Sequence, residues 1–434
     1  MRRNKGPGNK LVALASVPAL LAAVSLSILL PVAGRSHTAW AAAGDWHRTI
    51  AQQETAFGYT SLAIGSDSKV HIAYGGKNLF YAVWDGSKWH KQEIERENVG
   101  SYCSLALDSS GSPGISYYDA TKADLKYAHW DGTSWVTETV DGEDYVGEFT
   151  SLAFDGSGYP AISYYKSSPS YDLKYAHWNG TSWDTERVDI AEGTLGWYNS
   201  LSFDSSGNPV IAYHDAVYHG LKHAHWNGSS WDIETVDIVG GSDCFTSLVF
   251  DSSGYAGISY YTGKYSYDVK YAHWNGTSWD IEVVDSDVVV DRDTSLAFDS
   301  SDYPAITYYD VTNDVLKYTH WNGASWEIEV VDSDIGVELD ASLAFDSSGY
   351  PAISYYGAAD DDLKYAHWNG TSWDIEKVKK EKGGLFDCTC GSNEAKTSTT
   401  NLLIGWGMVA LCWGSGYYLV RRRGRHTINK RSLG

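Results

Sequence analysis

Acidic side chains recur at fixed offsets in two stretches of this chain. Asp285, Asp287, Asp291 and Asp293 stand at offsets 0, 2, 6 and 8, and Asp332, Asp334, Glu338 and Asp340 repeat that spacing. Closely spaced oxygen donors are what a Ca2+ ion needs, so these eight are candidate metal ligands. The glycine and terminal Glu of an EF-hand loop are absent, and a solvated acidic loop is the competing reading. A second constellation joins tyrosine to carboxylate: Tyr117-Tyr118-Asp119, Tyr164-Tyr165, Tyr213-His214-Asp215, Tyr260-Tyr261, Tyr308-Tyr309-Asp310 and Tyr355-Tyr356. Adjacent side chains of a strand face opposite ways, which puts one Tyr of each doublet in the core and the other at the rim. Tyr118, Asp119, Tyr165, Asp215, Tyr261, Tyr309, Asp310 and Tyr356 are therefore candidate ligand-binding residues. Flat apolar faces beside hydrogen-bond acceptors suit sugars or cations.

Both constellations recur because the chain is one short module written seven times. Copies begin at Ser61, Ser104, Ser151, Ser200, Ser247, Ser295 and Ser342, at spacings of 43, 47, 49, 47, 48 and 47 residues. A period of that length marks a stacked or circular array. In the copy 342–378, SLAFD joins PAISYY through Asp-Ser-Ser-Gly-Tyr, and LKYAHW joins WDIEKV through Asn-Gly-Thr-Ser. The apolar residues alternate in short runs bounded by turn residues, which is a strand pattern, and Asn-Gly readily supplies positive φ. Two hairpins per copy without a helical segment match one propeller blade. The expected fold is all-β: a seven-bladed β-propeller of four-stranded blades over 44–382, plus a C-terminal transmembrane helix. The early Trp46-His-Arg-Thr-Ile-Ala resembles a fourth strand and is expected to complete the last blade, displacing 373–378; the reverse choice stays open.

Within the module, the Trp pairs 84/89, 130/135, 178/183, 226/231, 274/279, 321/326 and 368/373 flank the second hairpin turn. Recurrence in every copy is what packing between blades requires. His129, His177, His225, His273, His320 and His367 precede the first Trp of a pair, and a ring would hold them in different blades. They read as packed or hydrogen-bonded histidines rather than metal ligands. Asn179, Asn227, Asn275 and Asn369 form sequons, but Asp85 and Asp131 replace Asn in other copies, so the turn is the shared requirement.

The flanking segments speak of an address. Residues 1–43 run from Arg2, Arg3, Lys5 and Lys10 through an apolar stretch to AWAAAG, the order of a signal peptide, with an uncleaved anchor as the alternative. After the repeats come a polar tether, 383–401, and 402–420, LLIGWGMVALCWGSGYYLV, without a charge and long enough to span a bilayer. The tail 421–434 is basic, which the positive-inside rule assigns to the cytoplasm. This places the chain in the cell membrane, single-pass, with the propeller extracellular. The chain carries a net charge of −22, but its basic ends hold eleven of the positive charges, so 44–420 carries −33. Such a surface repels nucleic acid and anionic lipid. Cys103 and Cys244 fall in different copies, and a bond between them would cross the ring; Cys388 and Cys390 follow the repeats.

The module resembles the propeller repeats of secreted proteins grouped with sialidase-type BNR or Asp-box repeats, over about 46–378. An Asp-box reads S-x-D-x-G-x-T-W, whereas Trp178-Asn179-Gly180-Thr181-Ser182-Trp183 keeps the turn residue, Gly and final Trp at tighter spacing. For a sialidase the resemblance implies three arginines for the substrate carboxylate, a Tyr/Glu nucleophilic pair and an acid/base Asp. The repeats hold only Arg48, Arg96, Arg187 and Arg292, with no inward triad to receive that role. Near-identical copies also argue against one specialised catalytic centre. The leading expectation is a non-catalytic binding module for a cell-surface glycan or protein; a glycoside hydrolase and a structural envelope protein are the alternatives. Any site is expected on the face formed by loops after strands two and four, since the opposite turns hardly vary.

Overall fold

The computed structural model describes residues 58–375, apart from 144, 168–169, 191–194, 241–243, 264–266, 287, 291–293, 334–335, 337–339 and 358–361. Seven antiparallel sheets of four strands each follow one another along the chain, one per module. Blade 3 is representative: Val146–Phe154, Pro160–Lys166, Asp172–Trp178 and Trp183–Asp189, each strand paired with the next. The expected seven four-stranded blades are the blades found.

The turns explain which residues cannot change. Asp155 accepts from the backbone N–H groups of Ser157 and Tyr159, both at 2.8 Å. Its other oxygen meets His177 Nε2 at 2.9 Å. Burial opposes ionisation of Asp155, but these bonds outweigh it and hold the carboxyl below its usual range. His225, His273, His320 and His367 repeat the same pairing, so these histidines are turn anchors. At the second turn Asn179 Oδ1 accepts from the N–H groups of Thr181 and Ser182, and Asp131 does the same for Thr133 and Ser134. The exchange of Asn for Asp therefore preserves the local fold.

Apolar packing lies between blades rather than within them, in seven buried clusters, one for each interface. The second Trp of a pair sets its edge on an aromatic ring of the preceding blade, as in Trp231 against Tyr175 at 5.4 Å. The Nε1 of Trp231 donates to Glu186 of that blade at 2.9 Å, Trp183, Trp279, Trp326 and Trp373 likewise donate to a glutamate, and Trp135 donates to Gln92. Nearer the axis, the Ser that opens each module accepts from a Leu N–H of the next blade. Ser104 receives Leu152, Ser151 receives Leu201, and Ser342 receives Leu62 at 3.0 Å, which closes the circle.

Closure is made by a different strand from the one expected. Trp373–Ile375 pairs with Asp362–Trp368 as the fourth strand of the last blade, so each blade is built from consecutive residues. The ring shuts through side chains: Leu62 N to Ser342 Oγ, Thr60 Oγ1 to Ser354 Oγ at 3.0 Å, and Trp89 edge-on to Tyr365 at 5.6 Å. Trp46 lies outside the described residues, as do the proposed signal segment, tether and 402–420. Among the described residues no helix is long and apolar enough to cross a membrane.

Candidate functional site

The first strands surround the axis, and at the end where loops two and four gather they line a cavity of about 770 Å³. That is within the range of about 300–1,000 Å³ typical of small-ligand sites. Its wall is a continuous arc of rings from five successive blades: Tyr59, Tyr102, Phe149, Tyr198 and Phe245. Their centroids stand 4.6, 4.5, 4.6 and 3.8 Å apart. Each ring belongs to the residue two before the Ser that opens its module. In the last two modules that position is Asp293, outside the described residues, and Asp340, which lines the cavity.

Three of these rings are held by strained backbone. Tyr102, Phe149 and Tyr198 have φ of 55°, 53° and 52°, a left-handed conformation that bulky residues seldom adopt. Each sits where the first strand slips register against the second, a bulge of one extra residue that turns the ring toward the axis. The strain is held from outside. Thr150 Oγ1 donates to the Tyr102 carbonyl at 2.8 Å, Asn199 Nδ2 to that of Phe149 at 2.7 Å, and Thr246 Oγ1 to that of Tyr198 at 2.6 Å. Every donor comes from the next blade, so ring assembly positions the arc. Two residues before Phe149, Gly147 has φ of +103°, and a Cβ there would fall 2.7 Å from Leu125 Cα. Glycine is required at that approach, and Gly100 and Gly196 repeat it.

Among the described lining residues Asp340 is the one acidic side chain, and Arg, Lys and His are absent from them. Burial first, and the charge of Asp340 second, push the Cys103 thiol up. Outside the arc, burial raises the Glu148 carboxyl. Burial, with Glu148 next, pushes the Tyr118 phenol up to about 12. Exposed tyrosines continue the aromatic surface over the same face, at Tyr145, Tyr171, Tyr218 and Tyr267.

The residues singled out from sequence fall elsewhere than expected. Of the second tyrosines, Tyr261 lines the cavity, Tyr118 and Tyr165 stand behind the arc at 6.3 Å from Tyr102 and 6.2 Å from Phe149, and Tyr309 and Tyr356 are buried. Asp119, Asp215 and Asp310 are buried and cap their own loops. Asp119, for example, accepts from the N–H groups of Thr121 and Lys122. They are therefore turn supports, not an exposed acceptor row. Asp285 and Asp332 are committed to the next blade: Asp285 accepts from Tyr308 at 2.6 Å and Lys317 at 2.9 Å, Asp332 from Tyr355 and Lys364. Asp287, Asp291, Asp334 and Glu338 lie outside the described residues, and among those described no group of three potential ligands forms a metal cluster. The Gly-x-aromatic run before the opening Ser, as in Val-Gly-Glu-Phe-Thr-Ser, was the signal for the arc.

Comparison with known proteins identifies fold. No protein-family profile matches the chain, and no curated protein sequence is similar to it. Solved structures are similar in fold. A polysaccharide lyase described as an ulvan lyase of family PL25 has a TM-score of 0.52 and 14% identity, covering 76% of this chain and 96% of that one. The fucose-specific lectin of Aleuria aurantia has a TM-score of 0.48 and 14% identity, covering 65% and 97%. AofleA from Arthrobotrys oligospora has a TM-score of 0.47 and 16% identity, covering 71% and 90%. This chain is a seven-bladed β-propeller.

Proposed function

We propose that this propeller binds carbohydrate in its axial pocket, presented outside the cell on the tether 383–401 and anchored in the membrane by 402–420. The observation that carries the reading is the pre-set arc of Tyr102, Phe149 and Tyr198, held in left-handed backbone by the next blade. Rings fixed before a ligand arrives give stacking area without an ordering penalty, and the serine hydroxyls beside them add hydrogen-bonding groups. The fold is one on which saccharides are bound elsewhere, as by the PL25 ulvan lyase solved with -[GlcA(1-4)Rha3S]-. The calcium reading of the loop acids stays attached to the stretches outside the described residues and is tested by the melting temperature with calcium against chelator.

The decisive experiment is glycan-array binding by the full-length protein in neutral detergent, followed by calorimetry with the best ligand. Tyr102→Ala and Tyr198→Ala should each weaken binding about tenfold, the worth of one stacked ring. Binding that survives both substitutions unchanged in a folded protein would move the site off the axis.

A further inference from the structure

The turn between the third and fourth strands carries a motif that ligand binding leaves unused, and the fold relies on one atom of it. Asn179 Oδ1 accepts from Thr181 N–H at 2.9 Å, from Thr181 Oγ1 at 2.8 Å and from Ser182 N–H at 3.0 Å. Asn227 and Asn275 repeat all three bonds. Asp85 and Asp131 hold the same turn through a carboxylate oxygen, so the fold does without the amide nitrogen. In Asn179 that nitrogen donates to two exposed partners, Ser182 Oγ at 3.1 Å and Asp184 Oδ2 at 2.9 Å. A substituent on Nδ2 displaces one of these bonds, and the partner released is already at the surface, where water replaces it. Asn179, Asn227 and Asn275 are exposed, whereas Asn369 is half-buried. Two of the turns also have a ring beside them. A Cβ on Gly180 would fall 3.0 Å from the Tyr159 hydroxyl, and one on Gly276 3.4 Å from the Tyr255 ring, both tyrosines being about two-fifths exposed. A sugar carried on these turns has a flat apolar face nearby. The sixth blade is an internal control: Asn322 holds its turn through the N–H groups of Ala324 and Ser325, and Ala324 brings no hydroxyl.

We propose that Asn179, Asn227 and Asn275, in three consecutive blades, are N-glycosylation sites, with Asn369 less fully occupied because it is half-buried. The co-substrate is a lipid-phosphate-linked oligosaccharide: Nδ2 bonds to the sugar C1, the bond from C1 to the phosphate oxygen breaks, Nδ2 gives up one proton and the lipid phosphate leaves. The proposal rests on the extracellular placement above and is independent of what the axial pocket binds. The turns lie at the end of the ring opposite the loops that frame that pocket, so the glycans cover one face of blades 3 to 5 and leave the pocket open. The test is peptide mapping by mass spectrometry of the full-length protein purified from its own cells, beside protease treatment of intact cells. Each of these asparagines falls in its own tryptic peptide. Glycan-sized mass increments are expected on the peptides of Asn179, Asn227 and Asn275, a lower occupancy at Asn369, and none on Asn322. Thr277→Ala should abolish the increment at Asn275, and Ala324→Thr should create one at Asn322; both leave a turn that another blade already folds with the same residues. Unmodified asparagines in a propeller that outside protease cleaves overturn the proposal and leave the placement standing. Unmodified asparagines in a propeller that protease cannot reach overturn both. An increment on Asn322 in the unsubstituted protein, or one on Asn275 that survives Thr277→Ala, shows that the hydroxyl is not recognised and overturns the proposal as well.

Discussion

Where blade 3 meets blade 2, Lys174 and Tyr164 of one reach Asp141 of the other, at 2.5 and 2.7 Å, with Lys174 and Asp141 both buried. Where blade 1 meets blade 7, the lysine position is Phe80, stacked on Tyr74 at 5.2 Å, and the position that aligns with the acid is Lys379. The same polar joint recurs at the other interfaces, through Glu95, Asp189, Asp237, Asp285 and Asp332. Lys174, Lys317 and Lys364 also lie over the ring of the joint's tyrosine at 5.7 to 5.8 Å. Six joints are thus interchangeable in chemistry, and one is not. Interchangeable joints hold a ring but cannot say where it begins; a lysine from any other blade offered to the seam would be buried against apolar groups. Blade 1 carries a further departure, His71, where the other blades have Gly, Ala or Val.

Breaking a polar joint should have the largest effect. Lys174→Met leaves Asp141 buried with its cation gone and should cost about 3–5 kcal/mol in urea unfolding. Replacing Asp141 with Leu as well should restore much of that loss, showing that the joint specifies pairing more than it adds stability. A loss below 1 kcal/mol would mean that the Tyr164 hydroxyl and solvent suffice to hold Asp141 without its cation.

Next in size is a pH effect confined to blade 1. His71 is buried against Tyr81, with Nδ1 2.5 Å from its hydroxyl, and burial lowers its pKa to about 4. The folded protein keeps this imidazole neutral, so the contribution is complete above the unfolded pKa near 6.5 and is lost as pH falls from there toward about 4. The full loss is about 3 kcal/mol, to be read as the difference in acid unfolding between the wild type and His71→Gln. Parallel pH profiles for the two proteins would remove His71 as the acid-sensitive element.

A smaller effect sharpens the comparison. Ser151→Ala removes the acceptor of Leu201 N–H, bonded at 3.0 Å, and should cost about 1–2 kcal/mol. Ser342→Ala does the same to Leu62 at the seam, where the lost bond also closes the ring. If closure is the weak point, Ser342→Ala should raise hydrogen exchange mainly in blades 1 and 7, whereas Ser151→Ala should affect its neighbours alone.

Much of this molecule is legible because it is written repeatedly. Seven copies of a strand-period pattern, each with Asp-Ser-Ser-Gly and Asn-Gly turns, determine blade number and strand count, since local hydrogen bonds such as those of Asp155 and Asn179 need only neighbours in sequence. The Trp pairs announce blade packing for the same reason. Which strand finishes the last blade was decided by tertiary contacts: Trp46-His-Arg-Thr-Ile-Ala and Trp373–Ile375 carry nearly the same pattern, and the pairing with Asp362–Trp368 selects between them. Asp119, Asp215 and Asp310 looked like a ligand row because charged residues are usually exposed, and the fold buried them by giving each a loop to cap. The arc of Tyr102, Phe149 and Tyr198 exists only once the blades stand side by side. Its rings are spaced along the chain by whole modules, and the bonds that hold their strained carbonyls come from the next blade, so no local stretch of sequence contains the site.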